Sequence, residues 1–173
     1  MSSPALMTGL GSAMAIFLSA AGSSYATAYS GAYALRSNLK SEINALFSFF
    51  PVIISGVLSI YGTIIAYLLY TKLGYSEISV DDGYRYFASG LTVGLGTLAS
   101  GLGMGKYMQW TLIDDTASSL KDGSRMSEES PLIPVTIPNS FTKGGFYRIV
   151  FVLIFIEAIG LYSLCIALFI SYN

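Results

Sequence analysis

Four long apolar windows leave this chain few folds to choose from. They run about Thr8–Leu35, Phe49–Tyr70, Tyr84–Trp110 and Tyr147–Tyr172, each long enough for a helix to cross the roughly 30 Å hydrocarbon core of a bilayer. Inside that core the backbone finds no water to bond, so only helices and closed barrels span it. Continuous apolar runs of this length predict helices. The expected fold is an all-α membrane protein with four transmembrane helices, and the lipid bilayer is its first partner. Composition agrees: 53% of the 173 residues are hydrophobic and 11% are charged, where a soluble domain carries roughly twice that charged fraction. The opening MSSPALM has no basic stretch, so no cleaved signal peptide is expected.

The windows are joined by 36–48, 71–83 and the long 111–146. Pro51 falls in the first turn of the second span, where its missing N–H costs little. The third connection holds Pro131, Pro134 and Pro138 with Asp114, Asp115, Asp122, Glu128 and Glu129, and reads as a solvent-exposed, partly irregular loop. Arg36, Lys40, Lys106, Lys121, Arg125, Lys143 and Arg148 sit on the side of the first and third connections; only Lys72 and Arg85 sit on the other. The positive-inside rule therefore places loops 36–48 and 111–146 in the cytosol and both termini across the membrane. Tyr70, Tyr84, Tyr86, Trp110, Tyr147 and Tyr172 lie near span ends, where amphipathic rings favour the interface.

Several chemistries are excluded. The chain has no His and one Cys, Cys165, inside an apolar run. Disulfide frameworks, Cys/His metal sites and His-based nucleophilic catalysis are all ruled out. A formal net charge of −1 offers no field for nucleic acid. The GLGMGK at Gly101–Lys106 fails as a phosphate loop: Ser100 replaces the first required Gly and Tyr107 the final Ser/Thr. No cofactor and no metal are expected.

One residue stands against its surroundings. The run FVLIFIEAIGLYSLCIALFI, Phe151–Ile170, has a single charge, Glu157, near its middle. A charge at that depth is expensive, by ~3 kcal/mol or more, and intramembrane acids are functional by default. Burial penalises the ionised form; a protonated carboxyl faces lipid at modest cost, whereas an ionised one needs water or a cation. Ser55, Ser59, Thr63 and Tyr61 on span two reach its level. The ordinary fate of the three hydroxyls is a bond to their own helix; the alternative is a bond to the protonated carboxyl, with Ser59 and Tyr61 the preferred partners. A sodium site would want further oxygen ligands, but the only Gln, Gln109, lies near the cytosolic end of span three. The proton is favoured.

Spans one and three are built from small residues. Gly11, Ala15 and Ser19, then Gly22, Ala26 and Ser30, recur every four residues, as do Thr97, Gly101 and Gly105. Such spacing makes a smooth face on which helices approach closely. Ordinary packing within one bundle explains either helix alone; two together suggest an inner layer packed against other copies.

Spans two and four resemble each other. SIYGTIIAYLL from Ser59 aligns with GLYSLCIALFI from Gly160, an offset of 101 that sets Gly56 against Glu157. Spans one and three align more weakly, Gly22 with Gly101, at an offset of 79. The chain reads as a duplicated two-helix hairpin, 1–75 and 76–173, in which only the second copy keeps the carboxylate.

GSSYATAYSG (Gly22–Gly31), SIYG (Ser59–Gly62), LTVGLGTLASGLGMG (Leu91–Gly105) and above all FIEAIGLY (Phe155–Tyr162) resemble the proteolipid, or c-type, subunits of vacuolar-type rotary ATPases. The likeness spans all four windows. It departs at the third connection, which is short in the family but here is KYMQWTLIDD and a Pro-rich insert, and at Ser163, where the family usually has Gly. The resemblance implies a homo- or hetero-oligomeric rotor ring of proteolipid subunits. It implies that Glu157 carries the proton, that a separate stator membrane subunit supplies an arginine, and that central-stalk subunits meet the cytosolic loops. It further implies that ATP is hydrolysed elsewhere in the complex, and that the membrane is that of a vacuole or other acidic organelle. The rival reading is a structural or specialised ring member, or a four-span scaffold, in which Glu157 is only a packing contact.

Overall fold

The computed structural model describes residues 3–36, 42–75, 78–122 and 143–172. Among them every regular element is a helix: α1 (Ser3–Arg36), α2 (Glu42–Tyr75), α3 (Val80–Asp122) and α4 (Lys143–Tyr172). Each contains a stretch long and apolar enough to cross a membrane: Pro4–Leu35, Ser48–Gly74, Val80–Asp114 and Tyr147–Tyr172. The all-α, four-span fold expected from the apolar windows is the observed one.

Three expectations change. The first connection shrinks, because α2 starts at Glu42 rather than near Phe49. Pro51 consequently lies inside the helix and removes one of its i→i−4 bonds instead of sitting harmlessly in the first turn. At the far end, α3 continues through Thr111–Asp122, which the polarity had marked as loop. The cause is the same in both places. Polarity closes an apolar window, but only Gly, Pro or a lost backbone bond closes a helix, and neither 42–50 nor 106–122 contains a Gly or a Pro. Lys40, Arg125, Glu128, Glu129 and the three loop prolines lie outside the described residues.

At 43 residues, α3 is about 65 Å long at 1.5 Å per residue, twice the hydrocarbon thickness. Its start is set by the acids Asp81 and Asp82 in the first turn, which complement the helix dipole, and by Gly83 N–H donating to Ser79 O at 3.1 Å.

α1 and α3 run parallel and touch backbone to backbone. A Cβ on Gly90 would meet the backbone of Gly11, and one on Gly101 the backbone of Gly22. Ser19 and Thr97 share a hydroxyl–hydroxyl bond of 2.6 Å between the same helices. α2 runs antiparallel to α1, with Gly62 against the Ala15 carbonyl and Ser19, Ser23 Oγ donating to Ser55 O at 2.9 Å and Thr27 bonded to Ser55 at 3.0 Å. α4 runs antiparallel to α3: Ser89 Oγ donates to Ala167 O at 2.7 Å, and a Cβ on Gly96 would strike Ser163.

Between the helices, Leu58, Tyr61, Ile65 and Leu69 of α2 pack with Ala15, Ala26, Val93, Met104 and Ala167. A second cluster, Tyr33, Met108, Ile149 and Leu153, closes the end nearer the first and third connections. Large apolar side chains such as Phe17, Phe151, Phe155 and Phe169 point outward, as they must when the solvent is lipid or a neighbouring helix.

Candidate functional site

Glu157 sits mid-way along the α4 span, with Leu153 and Gly160 buried a turn to either side. Both carboxyl oxygens are buried, and neither makes a hydrogen bond among the described residues. Tyr61 of α2 lies with its phenol beside the carboxyl, although no hydrogen bond joins the two. Tyr61 is 9% exposed and belongs to the central cluster.

The other hydroxyls of α2 turn to their own helix. Ser59 Oγ donates to Gly56 O at 2.8 Å, Ser55 to Val52 O at 2.8 Å and Thr63 to Ser59 O at 3.0 Å. Of the two preferred partners, Tyr61 is therefore brought to the carboxyl and Ser59 is occupied elsewhere. Gln109 accepts from Lys106 Nζ at 3.3 Å, far along α3. Among the described residues no three His, Cys, Asp or Glu side chains gather. The cations with described side chains, Lys72, Arg85, Lys106 and Arg148, are all exposed, and Arg148 stands beside Tyr107 rather than Glu157.

The small residues singled out for close packing are at the contacts. A Cβ on Gly101 would meet the Gly22 backbone and one on Gly22 the backbone of Thr97 and Leu98, Gly105 lies against the Tyr25 ring, and Ala26 and Ser30 are fully buried. Ser30 Oγ has no bond among the described residues.

Sequence reasoning overlooked two crossing bonds at the level of the carboxylate. Ser100 Oγ of α3 donates to Ile156 O of α4 at 2.7 Å, directly before Glu157. In the other hairpin Ser23 Oγ of α1 donates to Ser55 O of α2, directly before Gly56. The two acceptors, Ser55 and Ile156, are related by the repeat offset of 101. That offset could have pointed to the acceptors, but not to the donors, since Ser23 and Ser100 are 77 residues apart rather than 79.

No family model matches the chain. Individual relatives do. The V-type proton ATPase 16 kDa proteolipid subunit c of Homo sapiens is 29% identical over 162 residues, 94% of this chain and 88% of that protein. Its counterpart in Ovis aries is 31% identical over 163 residues, again 94% and 88%. The chain belongs to the V-type ATPase proteolipid family. Within this family it is 32% identical over 163 residues, 93% of the chain and 84% of the relative, to the V-type proton ATPase subunit c′ of Candida glabrata. Similarity to subunits c and c′ is thus nearly equal. The coverage includes both α4, with its carboxylate, and the small-residue helices.

Proposed function

We propose that this chain is a proton-carrying subunit of the rotor ring of a V-type proton ATPase, with Glu157 the group that takes up and releases the proton. The observation that carries the reading is a single carboxylate at mid-membrane depth whose two oxygens are buried without a hydrogen bond among the described residues, beside Tyr61, in the otherwise uncharged run Phe151–Ile170. An ionised carboxylate left so would be several kcal/mol out of balance. It is therefore protonated wherever it faces lipid and gives up its proton only next to water and a cation.

No described cation of this chain stands at that depth, so the cation comes from a separate stator subunit, as an arginine. Each proton carried against ~100 mV requires about 2.3 kcal/mol. That work is delivered by ATP hydrolysis elsewhere in the complex and transmitted as rotation through central-stalk subunits at the cytosolic loops. The neighbours in the ring are proteolipid subunits, either copies of this chain or paralogues. The segments 36–48 and 111–146, helical at 42–48 and 111–122, face the cytosol, a placement that the distribution of Lys and Arg supports, and the termini face the lumen of a vacuole or other acidic organelle.

The units of construction are two hairpins, 1–75 and 76–173. The acceptors Ser55 O and Ile156 O, related by the offset of 101, and the meeting of Gly101 with Gly22, related by the offset of 79, support a duplication. Tyr61 and a carboxyl without an amide partner favour the proton over sodium.

The test is carbodiimide modification of the purified membrane complex, mapped by mass across pH and with Na⁺ added. Modification confined to Glu157, fading as pH rises, matched by loss of ATP-driven acidification and indifferent to Na⁺, is expected. Protection by Na⁺ would change the ion but keep the carrier. Pumping that continues with Glu157 modified would make the carboxylate a packing contact.

A further inference from the structure

The hydroxyl of Ser100 is buried and is spent on another helix rather than its own: it donates to Ile156 O across the α3–α4 contact at 2.7 Å. Several features bring the two helices close at this level. A Cβ on Gly103 would press on Ile156 Cγ2 at 3.3 Å, and one on Gly160 would lie 2.8 Å from Leu58 of α2 and 3.6 Å from Ser100. In a helix the Ile156 carbonyl already accepts the N–H four residues on, so the Ser100 bond is a second one, made from outside.

Consecutive residues are rotated about 100° around a helix axis. Holding the carbonyl of residue 156 against α3 thus sets where the side chain of residue 157 points. It points to Tyr61 on α2. α4 is gripped by α3 on one side of the carboxylate and meets α2 on the other.

We propose that Ser100 is a positioning residue for Glu157: its bond to the preceding carbonyl fixes the rotation of α4 that presents the carboxyl to Tyr61. This rests on the reading of Glu157 as the carrier. The molecule contains its own control. Ser23 makes the same kind of bond to Ser55 O, but the residue that follows is Gly56, with no side chain to aim. Loss of the Ser23 bond weakens a helix contact; loss of the Ser100 bond weakens a contact and also frees the carboxylate.

The experiment compares assembled complexes carrying Ser100→Ala, Ser100→Cys and Ser23→Ala with wild type. Two quantities are read: the pH midpoint of carbodiimide modification at Glu157, and acidification per ATP hydrolysed. Ser100→Ala should move the midpoint by about half a pH unit or more, the scale of one hydrogen bond's net contribution, and lower acidification per ATP. Ser100→Cys keeps the shape and donates weakly, so it should fall between, and it carries the test if the Ala variant does not assemble. Ser23→Ala should keep the wild-type midpoint. A wild-type profile in the Ser100 variants, or an equal shift from Ser23→Ala, overturns the proposal. Absence of modification at Glu157 in wild type instead overturns the carrier reading itself.

Discussion

Replacing Glu157 with glutamine keeps nearly the same side-chain shape and removes the titrating proton from the middle of α4. Acidification of vesicles by the variant complex should fall to background while the ring still assembles, as judged by its mass on native gels; acidification at the wild-type rate would mean that Glu157 is structural. The carboxylate was legible in the sequence because it is the single charge in Phe151–Ile170. The fate of the hydroxyls was not. Ser59 and Ser100 are both serines on apolar helices, yet Ser59 bonds within its helix and Ser100 reaches across to another. The difference lies in which way each helix is turned and how close its neighbour stands, and a hydroxyl's local sequence carries neither.

Helix by helix, glycine has two distinct uses that composition cannot separate. At Gly62 a methyl group would run into the Ala15 carbonyl and Ser19, and at Gly101 into the Gly22 backbone. Backbone cannot yield as a flexible side chain can, so Gly62→Ala and Gly101→Ala should each destabilise the folded chain by about 1–3 kcal/mol, as overpacking does. At Gly56 nothing lies within 4 Å. Gly56→Ala should be neutral, or stabilising by up to about 1 kcal/mol through helix propensity. Thermal melting of the detergent-solubilised chain checks the contrast; equal losses at all three positions would mean the α1–α2 and α1–α3 contacts are not as close as described. α3 continues beyond its apolar window to Asp122. A lone cysteine placed at Asp114, in a Cys165→Ala background, should react with a membrane-impermeant maleimide from the cytosolic side only. Reaction from the opposite side alone would invert the topology.

On the scale of the whole molecule, the proposed duplication makes a demand that one chain leaves unmet. Tyr61 faces α4 within the chain and is 9% exposed, whereas its mate at the offset of 101, Tyr162, is 65% exposed on the outer surface of α4. If the repeat continues from one copy to the next, Tyr162 of one chain faces Gly56 of its neighbour, just as Tyr61 faces Glu157. Where this chain adjoins itself, Gly56→Cys and Tyr162→Cys, in a Cys165→Ala background, should form a disulfide between copies on mild oxidation. Paired cysteines that link only within one chain would break the symmetry argument.

The number of spans, their approximate ends and the lone acid were legible in the order of residues alone. They depend on transfer of side chains into hydrocarbon, which each residue contributes without reference to distant ones. Helix ends were misjudged at Glu42 and Asp122 because backbone bonding continues where hydrophobicity stops. The parallel contact of Gly22 with Gly101, the turn of Tyr61 toward Glu157 and the Ser100 bond were decided by tertiary structure only. Each depends on the rotation of one helix against another, and that rotation is set by all of their contacts at once.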